Sequence, residues 1–167
     1  MQSLVMPEWR APKFAELPKV ELYMDQVLLI LEEALQPLLL QSDMPNKVGK
    51  ISKAERPLTA SMINNYVKQG LIEPPQKKRY TRQQVAALLL ISLLKNLLPI
   101  SDIKLLLQAA AEQGLADFYD RFCEQLTALL GDLSAAPAAE QQDLAQAAAL
   151  ALAHKIYLQK QLHNLTV

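Results

Sequence analysis

The middle of the chain reads, from residue 59 to residue 81, Thr-Ala-Ser-Met-Ile-Asn-Asn-Tyr-Val-Lys-Gln-Gly-Leu-Ile-Glu-Pro-Pro-Gln-Lys-Lys-Arg-Tyr-Thr. Either Thr59 or Ser61 can cap a short helix here, because a hydroxyl at a helix start accepts a hydrogen bond from a free backbone amide. Gly70 ends that helix, because glycine enters the left-handed conformation without a steric penalty. The two prolines that follow exclude helix from the segment leading to the basic run. The stretch therefore predicts a short helix, a sharp turn and a rigid connection to the next element.

Four further helices are predicted downstream, because apolar residues recur there every three or four positions between polar caps, prolines and glycines. Thr81 and Ser101 are the predicted N-caps of the first two helices, which Pro99 and Gly114 end. The first of these helices is apolar around most of its circumference, which is typical of a buried helix. The four predicted helices cover residues 82–98, 102–113, 115–130 and 138–164.

Upstream of the central stretch, a lead helix is predicted over residues 20–40 from its helical spacing of apolar side chains. Pro37 either ends or kinks this helix. Residues 42–57 show no periodicity and are predicted to form a polar loop. Residues 1–18 are interrupted by prolines and are predicted to be an irregular lead-in. Two aromatic side chains can anchor this lead-in on the domain surface, Trp9 and Phe14.

The composition favours helix over sheet. The chain has only four glycines, and 51% of its 167 residues are hydrophobic, which is ample material for a core. We therefore predict an all-α fold with at most a short ribbon. The most apolar stretch, residues 85–100, is interrupted by polar residues and falls short of the roughly 20 clean residues of a membrane helix. The first residues lack the pattern of a signal peptide, so a cytoplasmic location is expected.

Positive charge is concentrated in one segment of a chain whose net charge is zero. Residues 47–82 hold nine basic and two acidic residues, a net charge of +7, and the rest holds eight basic and fifteen acidic residues, a net charge of −7. Such a segment can dock a polyanion. An ordinary solvated loop whose lysines serve solubility is the alternative on charge alone.

Catalytic and metal chemistry find little support in the sequence. We identify no paired carboxylates in a plausible cleft, no nucleophile beside a base and no Gly-rich phosphate loop, so we predict neither enzyme activity nor a cofactor. Cys123 is the only cysteine, which excludes an internal disulfide, and it is predicted to be a half-buried, unreactive thiol. His154 and His163 are well separated and predicted to face solvent, so no metal site is expected.

The central stretch and the helix after it resemble the MerR regulators. In that family a recognition helix ends in a Tyr-x-x-x-Gly-Leu stretch, and prolines then lead into a wing with a basic residue and a tyrosine. The resemblance covers residues 58–105 and implies a MerR-like, winged helix-turn-helix that binds duplex DNA. The residues of this chain that occupy the matching places are Tyr66, Gly70, Leu71, Pro74, Pro75, Lys78 and Tyr80.

The middle of the chain is still more similar to a family of uncharacterised bacterial proteins that share a Met-Ile-Asn-Asn-Tyr-Val-Lys core and the lead helix; no biochemical role comes with that second resemblance. The chain departs from the MerR pattern in its loop at residues 42–57, its shorter wing, and Asn64 in a place that commonly bears Arg. The predicted organisation is a lead-in (1–18), a DNA-binding domain that includes the lead helix (19–114) and a C-terminal helical region (115–167).

The exposed face of the recognition helix offers residue types that suit the major groove, because Asn can bind adenine edges and Lys68 a phosphate. The three cations at residues 77–79 suit phosphate contact, and Arg82 can join them. The alternatives are a cap or turn hydrogen bond for each asparagine and core packing for the two tyrosines. The predicted DNA-binding residues are Thr59, Ser61, Asn64, Asn65, Tyr66, Lys68, Lys77, Lys78, Arg79, Tyr80 and Arg82.

The resemblance also implies dimerisation through a long C-terminal helix, for which residues 138–164 are the candidate. Their apolar repeat is imperfect, so folding back onto the same chain is the alternative to pairing with a second copy. We predict a sequence-specific transcriptional regulator whose partners are double-stranded DNA and a second copy of the chain, with no membrane partner. The sequence identifies no effector. The alternative is a helical protein-interaction module that has lost DNA docking.

Overall fold

Six α-helices and one two-stranded antiparallel ribbon form the part of the chain that the structure, a computed structural model, describes: residues 9–39, 57–135 and 144–165. The all-α class predicted from the sequence, with a short ribbon, is confirmed. In chain order the elements are a 3-10 turn (Phe14–Glu16), β1 (Leu22–Tyr23), α1 (Met24–Leu39), α2 (Ala60–Lys68), β2 (Arg79–Tyr80), α3 (Arg82–Leu94), α4 (Ile100–Gln113), α5 (Leu115–Ala135) and α6 (Leu144–Asn164).

α3 is the central helix of the core. The whole run from Val85 to Ile91 is buried, and α1, α4 and α5 pack around it. The helix begins at Thr81, the predicted N-cap, and the cap is reciprocal: the Thr81 hydroxyl accepts from the Gln84 amide at 3.3 Å, and the Gln84 side chain accepts from the Thr81 amide at 2.7 Å. Burying each leucine of this helix contributes about 1.5–3 kcal/mol, so α3 supplies much of the driving force for folding.

The ribbon replaces the first residues of the predicted lead helix. β1 pairs antiparallel with β2, with Leu22 opposite Tyr80 and Tyr23 opposite Arg79. Leu22 and Tyr80 are buried on one face, and Tyr23 and Arg79 are exposed on the other. A helix over these residues was expected from spacing alone, but the backbone hydrogen bonds and the buried pair of the ribbon outweigh that local preference.

The lead-in ties α1 to α5. The Trp9 indole donates to the Ala34 carbonyl at 2.8 Å, and the Tyr119 hydroxyl donates to the Pro12 carbonyl at 2.8 Å. The Phe14 amide donates to the Asp120 carboxylate at 2.6 Å. Trp9 is therefore a buried anchor, and the Phe14 ring contacts the Tyr119 ring edge-on, with 6.5 Å between their centroids.

Several helix ends differ from the prediction. α3 ends at Leu94 instead of residue 98, because a tight turn brings Leu98 back into the core. α4 is capped by Pro99 and not by Ser101, since the Pro99 carbonyl already accepts the amide of Asp102 at 3.1 Å. α1 runs through Pro37 to Leu39, and α5 runs through Gly131 to Ala135. The predicted loop at residues 42–57 lies outside the described residues, apart from Pro57.

One hydrophobic cluster continues across residue 114, the expected domain boundary. Tyr119 and Cys123 of α5 and Leu162 of α6 belong to the same cluster as the α1 and α3 side chains. The first half of α5 is thus part of the main core. None of the described helices is both long enough and apolar enough to cross a bilayer.

Candidate nucleic-acid interface

α2 is a short helix with well-formed ends. Thr59 is its N-cap, one of the two predicted caps, and its hydroxyl accepts from the Met62 amide at 3.3 Å. At the other end the Leu71 amide donates to the Tyr66 carbonyl at 2.9 Å and the Gly70 amide to the Val67 carbonyl at 3.0 Å. This is a Schellman motif, and Gly70 adopts the left-handed φ of 70° that it requires.

The two faces of α2 have separate roles. Ile63 and Tyr66 are buried, which fixes the helix on the core. Residues spaced by three and four positions lie on one side of a helix. Together with Met62, the exposed side chains at that spacing line one shallow concave surface. They are Ser61, Asn64, Asn65 and Lys68.

Two lysines from other helices hold the backbone at the ends of α2. The Lys95 ammonium donates to the Pro57 carbonyl at 2.5 Å, just before the helix, and burial lowers the Lys95 pKa. The Lys104 ammonium donates to the Gln69 carbonyl at 3.2 Å, at the C-terminal end where a cation interacts favourably with the helix dipole. Neither lysine can be recognised from the sequence, because each acts over more than 30 residues of separation.

The basic run forms the tip of a tight hairpin. The Arg79 amide donates to the Gln76 carbonyl at 2.9 Å, so only Lys77 and Lys78 form the loop. Both lysines adopt the left-handed backbone conformation, with φ of 48° and 63°, which the commonest two-residue hairpin turn requires. Asn-Gly is the usual occupant of such a turn, because residues with a larger side chain are strained at positive φ. Both ammonium groups project from an exposed tip.

Arg79 follows the turn on the exposed face of the ribbon. Its guanidinium carbon lies 5.7 Å from the centroid of the Tyr23 ring, directly across the strand pair. Tyr23 is 51% exposed, so its ring lies on the surface of the ribbon and not in the core. Tyr23 lies in the predicted lead helix and was therefore not a candidate, although Leu22 pointing inward and Tyr23 outward is the alternation of a strand.

Three of the predicted DNA-binding residues lie in the protein framework instead. Tyr66 and Tyr80 are 5% and 2% exposed, and burial raises the pKa of both phenols. Their geometry therefore agrees with the alternative of core packing. Arg82 is half-buried: its Nε donates to the Pro18 carbonyl at 3.4 Å and its guanidinium lies 5.5 Å from the Phe14 ring centroid, so Arg82 anchors the lead-in.

The described residues offer little for metal or thiol chemistry. Among them, no three His, Cys, Asp or Glu side chains are close enough together to hold a metal ion. Cys123 is buried, and burial raises the pKa of its thiol to about 11, so almost none of it is the nucleophilic thiolate at neutral pH. His154 and His163 are exposed on α6, as predicted; the His163 Nε2 lies 3.7 Å from an oxygen of Asp102.

Comparison with known proteins gives one match. The family model described as "Domain of unknown function (DUF1836)" matches residues 12–122, from the lead-in to the first part of α5. No curated protein and no solved structure matches the chain. The matched range contains α2, the hairpin and most of the core that carries them, and it covers more than half of the 167 residues. The chain therefore belongs to the DUF1836 family.

Proposed function

We propose that this protein is a sequence-specific, DNA-binding transcriptional regulator that uses a MerR-like helix-turn-helix. In this proposal α2 enters the major groove, and the hairpin between α2 and α3 contacts the phosphate backbone beside it. Support comes from the division of α2 into a buried and a polar exposed face, and from the pairing of β1 with β2 before α3. That pairing gives the basic run a rigid base, as a wing requires.

The single observation that carries the proposal is the backbone conformation of Lys77 and Lys78. A left-handed residue other than glycine costs on the order of 1–3 kcal/mol, and strain of this kind is concentrated at functional positions. The turn holds a lysine at both positions where Asn-Gly would fit with less strain. The strain produces no core contact, because both lysines are exposed. The strained turn instead places two cations at the tip of the hairpin. A pair of cations in this position suits a phosphate ligand.

Base recognition is assigned to the exposed face of α2. An Asn side chain can bind the N6 and N7 edge of adenine through two hydrogen bonds, and Ser61 can donate to either a base or a phosphate. Asn64 and Asn65 are exposed, and neither amide side chain serves as a cap of α2. This leaves both amides available to a base, in contrast to the alternative in which they make local turn hydrogen bonds.

We infer that the active form is a homodimer built through the C-terminal helices. Residues 145–154 of α6 are exposed throughout, although this helix is rich in Ala and Leu. A contiguous apolar surface of this kind marks an interaction site. A second copy would place two α2 helices on half-sites one helical turn apart or a multiple of it. The large exposed apolar side chains of α5 and α6 include Leu129, Leu133, Leu150, Leu152, Ile156 and Tyr157.

The same apolar surface favours a second candidate function, a protein-interaction module without DNA docking. In that case the surface would bind a different protein, and the hairpin lysines would serve solubility. Retention of a specific protein partner after nuclease treatment, with no nucleic acid bound, would favour this candidate.

The test is selection from a random-sequence duplex library, followed by affinity measurements over a salt series. We expect enrichment of a symmetric motif and an affinity that falls steeply with salt, because each phosphate contact lowers the slope of log K against log salt by about 0.9. Simultaneous replacement of Lys77, Lys78 and Arg79 should flatten that slope. A purified wild-type protein that binds no duplex even at low salt would contradict the proposed function.

A further inference from the structure

We propose that Tyr23 is a positioning residue that orients the Arg79 guanidinium for contact with a DNA phosphate. The inference rests on the proposed DNA-binding function and extends its interface to β1, which precedes the helix-turn-helix segment in sequence. The juxtaposition of an exposed tyrosine and an exposed arginine across the ribbon carries it.

The ribbon register fixes this pair. Because Tyr23 and Arg79 are direct cross-strand partners, their side chains leave the same face of the ribbon. The opposite face holds Leu22 and Tyr80 in the core, so the strands cannot slip by one residue without burying the arginine. The Tyr23 amide also donates to the Gln26 side chain at 2.9 Å, which fixes the strand where it enters α1.

The chemistry of the pair leaves the donors of Arg79 available. The Arg79 guanidinium carbon lies 5.7 Å from the centroid of the Tyr23 ring, within cation–π range, and this contact occupies no hydrogen-bond acceptor. No described residue accepts a hydrogen bond from the Arg79 side chain or forms an ion pair with it. An arginine held in this way can bind two oxygens of one phosphate through two parallel N–H donors, a planar geometry that a lysine ammonium does not offer.

This arrangement also explains why an exposed tyrosine occurs on the ribbon. Tyr23 does not contribute to the core, and its ring is the only described partner of the arginine side chain. Removing the ring would leave Arg79 with its charge but without its fixed orientation. The expected result is weaker binding with a nearly unchanged number of phosphate contacts.

The experiment is a double-mutant cycle on the full-length chain, with Tyr23→Ala, Arg79→Ala and the double variant. Affinity for one selected duplex is measured at several salt concentrations. A cation–π contact at an exposed position accounts for about a two- to fivefold change in affinity, which is the expected effect of Tyr23→Ala. Arg79→Ala should flatten the salt slope by about 0.9. In that background Tyr23→Ala should cause no further loss of affinity.

Three further variants separate orientation from folding. Tyr23→Phe keeps the ring and should bind within twofold of wild type, whereas Tyr23→Leu keeps apolar bulk without an aromatic face and should lose as much as Tyr23→Ala. Leu29→Ala truncates another exposed large side chain, on α1, and should bind as wild type does.

Losses of affinity that are additive across the cycle would overturn the positioning role, and so would a Tyr23→Phe variant that binds as weakly as Tyr23→Ala. The proposed function would stand in either case, because wild-type protein would still bind DNA. Failure of wild-type protein to bind any duplex would overturn both.

Discussion

Asp102 near the start of α4 accepts a hydrogen bond at 2.8 Å from the side chain of Gln159, near the end of α6 and 57 residues further along the chain. Asp102 is 3% exposed and is the only buried charged residue in the described part of the chain. Around this contact Leu162 is buried and Leu158 and Gln159 are half-buried, whereas residues 145–154 are exposed. The carboxylate therefore marks the place where α6 is attached to the body of the protein.

Replacing Asp102 with Ala should loosen α6 without unfolding the core. The variant loses a charge-assisted hydrogen bond, which contributes about 1.5–3 kcal/mol to the free energy of unfolding. Hydrogen exchange should accelerate in residues 144–165 but not in α3. Glu112→Ala, which removes an exposed carboxylate from the same helix, is the matched control. Equal effects of the two substitutions would show that Asp102 does not hold α6.

A hairpin with Asn-Gly at positions 77 and 78 should be more stable and bind DNA less well. Relief of backbone strain should raise the free energy of unfolding by about 1 kcal/mol or more, because Asn and Gly tolerate positive φ. Loss of two phosphate contacts should flatten the salt slope by about 1.8. Denaturant unfolding and binding titrations measure the two effects.

The control for the hairpin variant removes two positive charges elsewhere, by Lys155→Asn and Lys160→Asn in α6. This control should leave the salt slope unchanged. A hairpin variant that gains stability and also keeps wild-type affinity would refute the phosphate role of the turn.

Asn64→Ala and Asn65→Ala should relax sequence preference. Loss of a bidentate contact to adenine costs about 1–3 kcal/mol at one base pair, so discrimination at that position should fall while affinity for other sequences changes little. Lys68→Ala, on the same face, should instead weaken binding to all sequences alike. Affinity measured for every single-base variant of the selected site distinguishes the two patterns. Uniform losses for the asparagine variants would argue against base recognition.

The stability of the protein should decline between about pH 9 and pH 11. Cys123 has a pKa of about 11 in the folded state, against about 8.5 in an unfolded chain. The unfolded state therefore releases this proton first, and the stability present below pH 8.5 is lost as the pH rises towards 11. Burial also raises the pKa of Tyr119, which adds to the decline.

Urea unfolding at pH 7 to 11 measures this dependence, which should approach about 1.4 kcal/mol per pH unit for each group concerned. Cys123→Ala should show a shallower decline than wild type, whatever its stability at pH 7. An identical pH dependence in the two proteins would mean that the pKa of the thiol is the same in the folded and the unfolded state, which would contradict the prediction.

Leu152→Glu should dissociate the proposed dimer. Leu152 is 58% exposed on the unpacked half of α6, so a charge there is tolerated in a monomer but costly in an apolar interface. Asn164→Glu adds the same charge at an exposed position near the helix end and serves as the control. Sedimentation equilibrium gives the mass of each. A wild-type protein that is monomeric at every concentration would contradict dimerisation, and retention of a different protein partner would favour the second candidate function.

The features that could be predicted from the sequence are those determined by a few neighbouring residues. Thr59, Gly70, Thr81 and Gly114 each act on a backbone group within about one helical turn, and all four occupy the predicted helix ends. The buried character of α3 was equally accessible, because its apolar residues surround the whole helix.

The features that were missed depend on contacts between distant residues. The strand at Leu22 exists only because Tyr80 pairs with it, and Lys95 is recognisable as a support of α2 only once Pro57 lies beside it. For Tyr66 and Tyr80 the sequence left DNA contact and core packing open, and both side chains are buried in the structure. The DNA-binding role of the exposed residues remains a prediction.

The attachment of the lead-in to α5 sets an order of events during synthesis of the chain. The Phe14 amide cannot meet Asp120, nor the Pro12 carbonyl meet Tyr119, until more than 100 further residues have left the ribosome. Contacts of such high sequence separation form late and slow folding, because a long loop must close before they yield any stabilisation. Pro12 and Phe14 are therefore among the last residues to reach their native positions, whereas Trp9 can meet the Ala34 carbonyl of α1 after only 25 residues of separation.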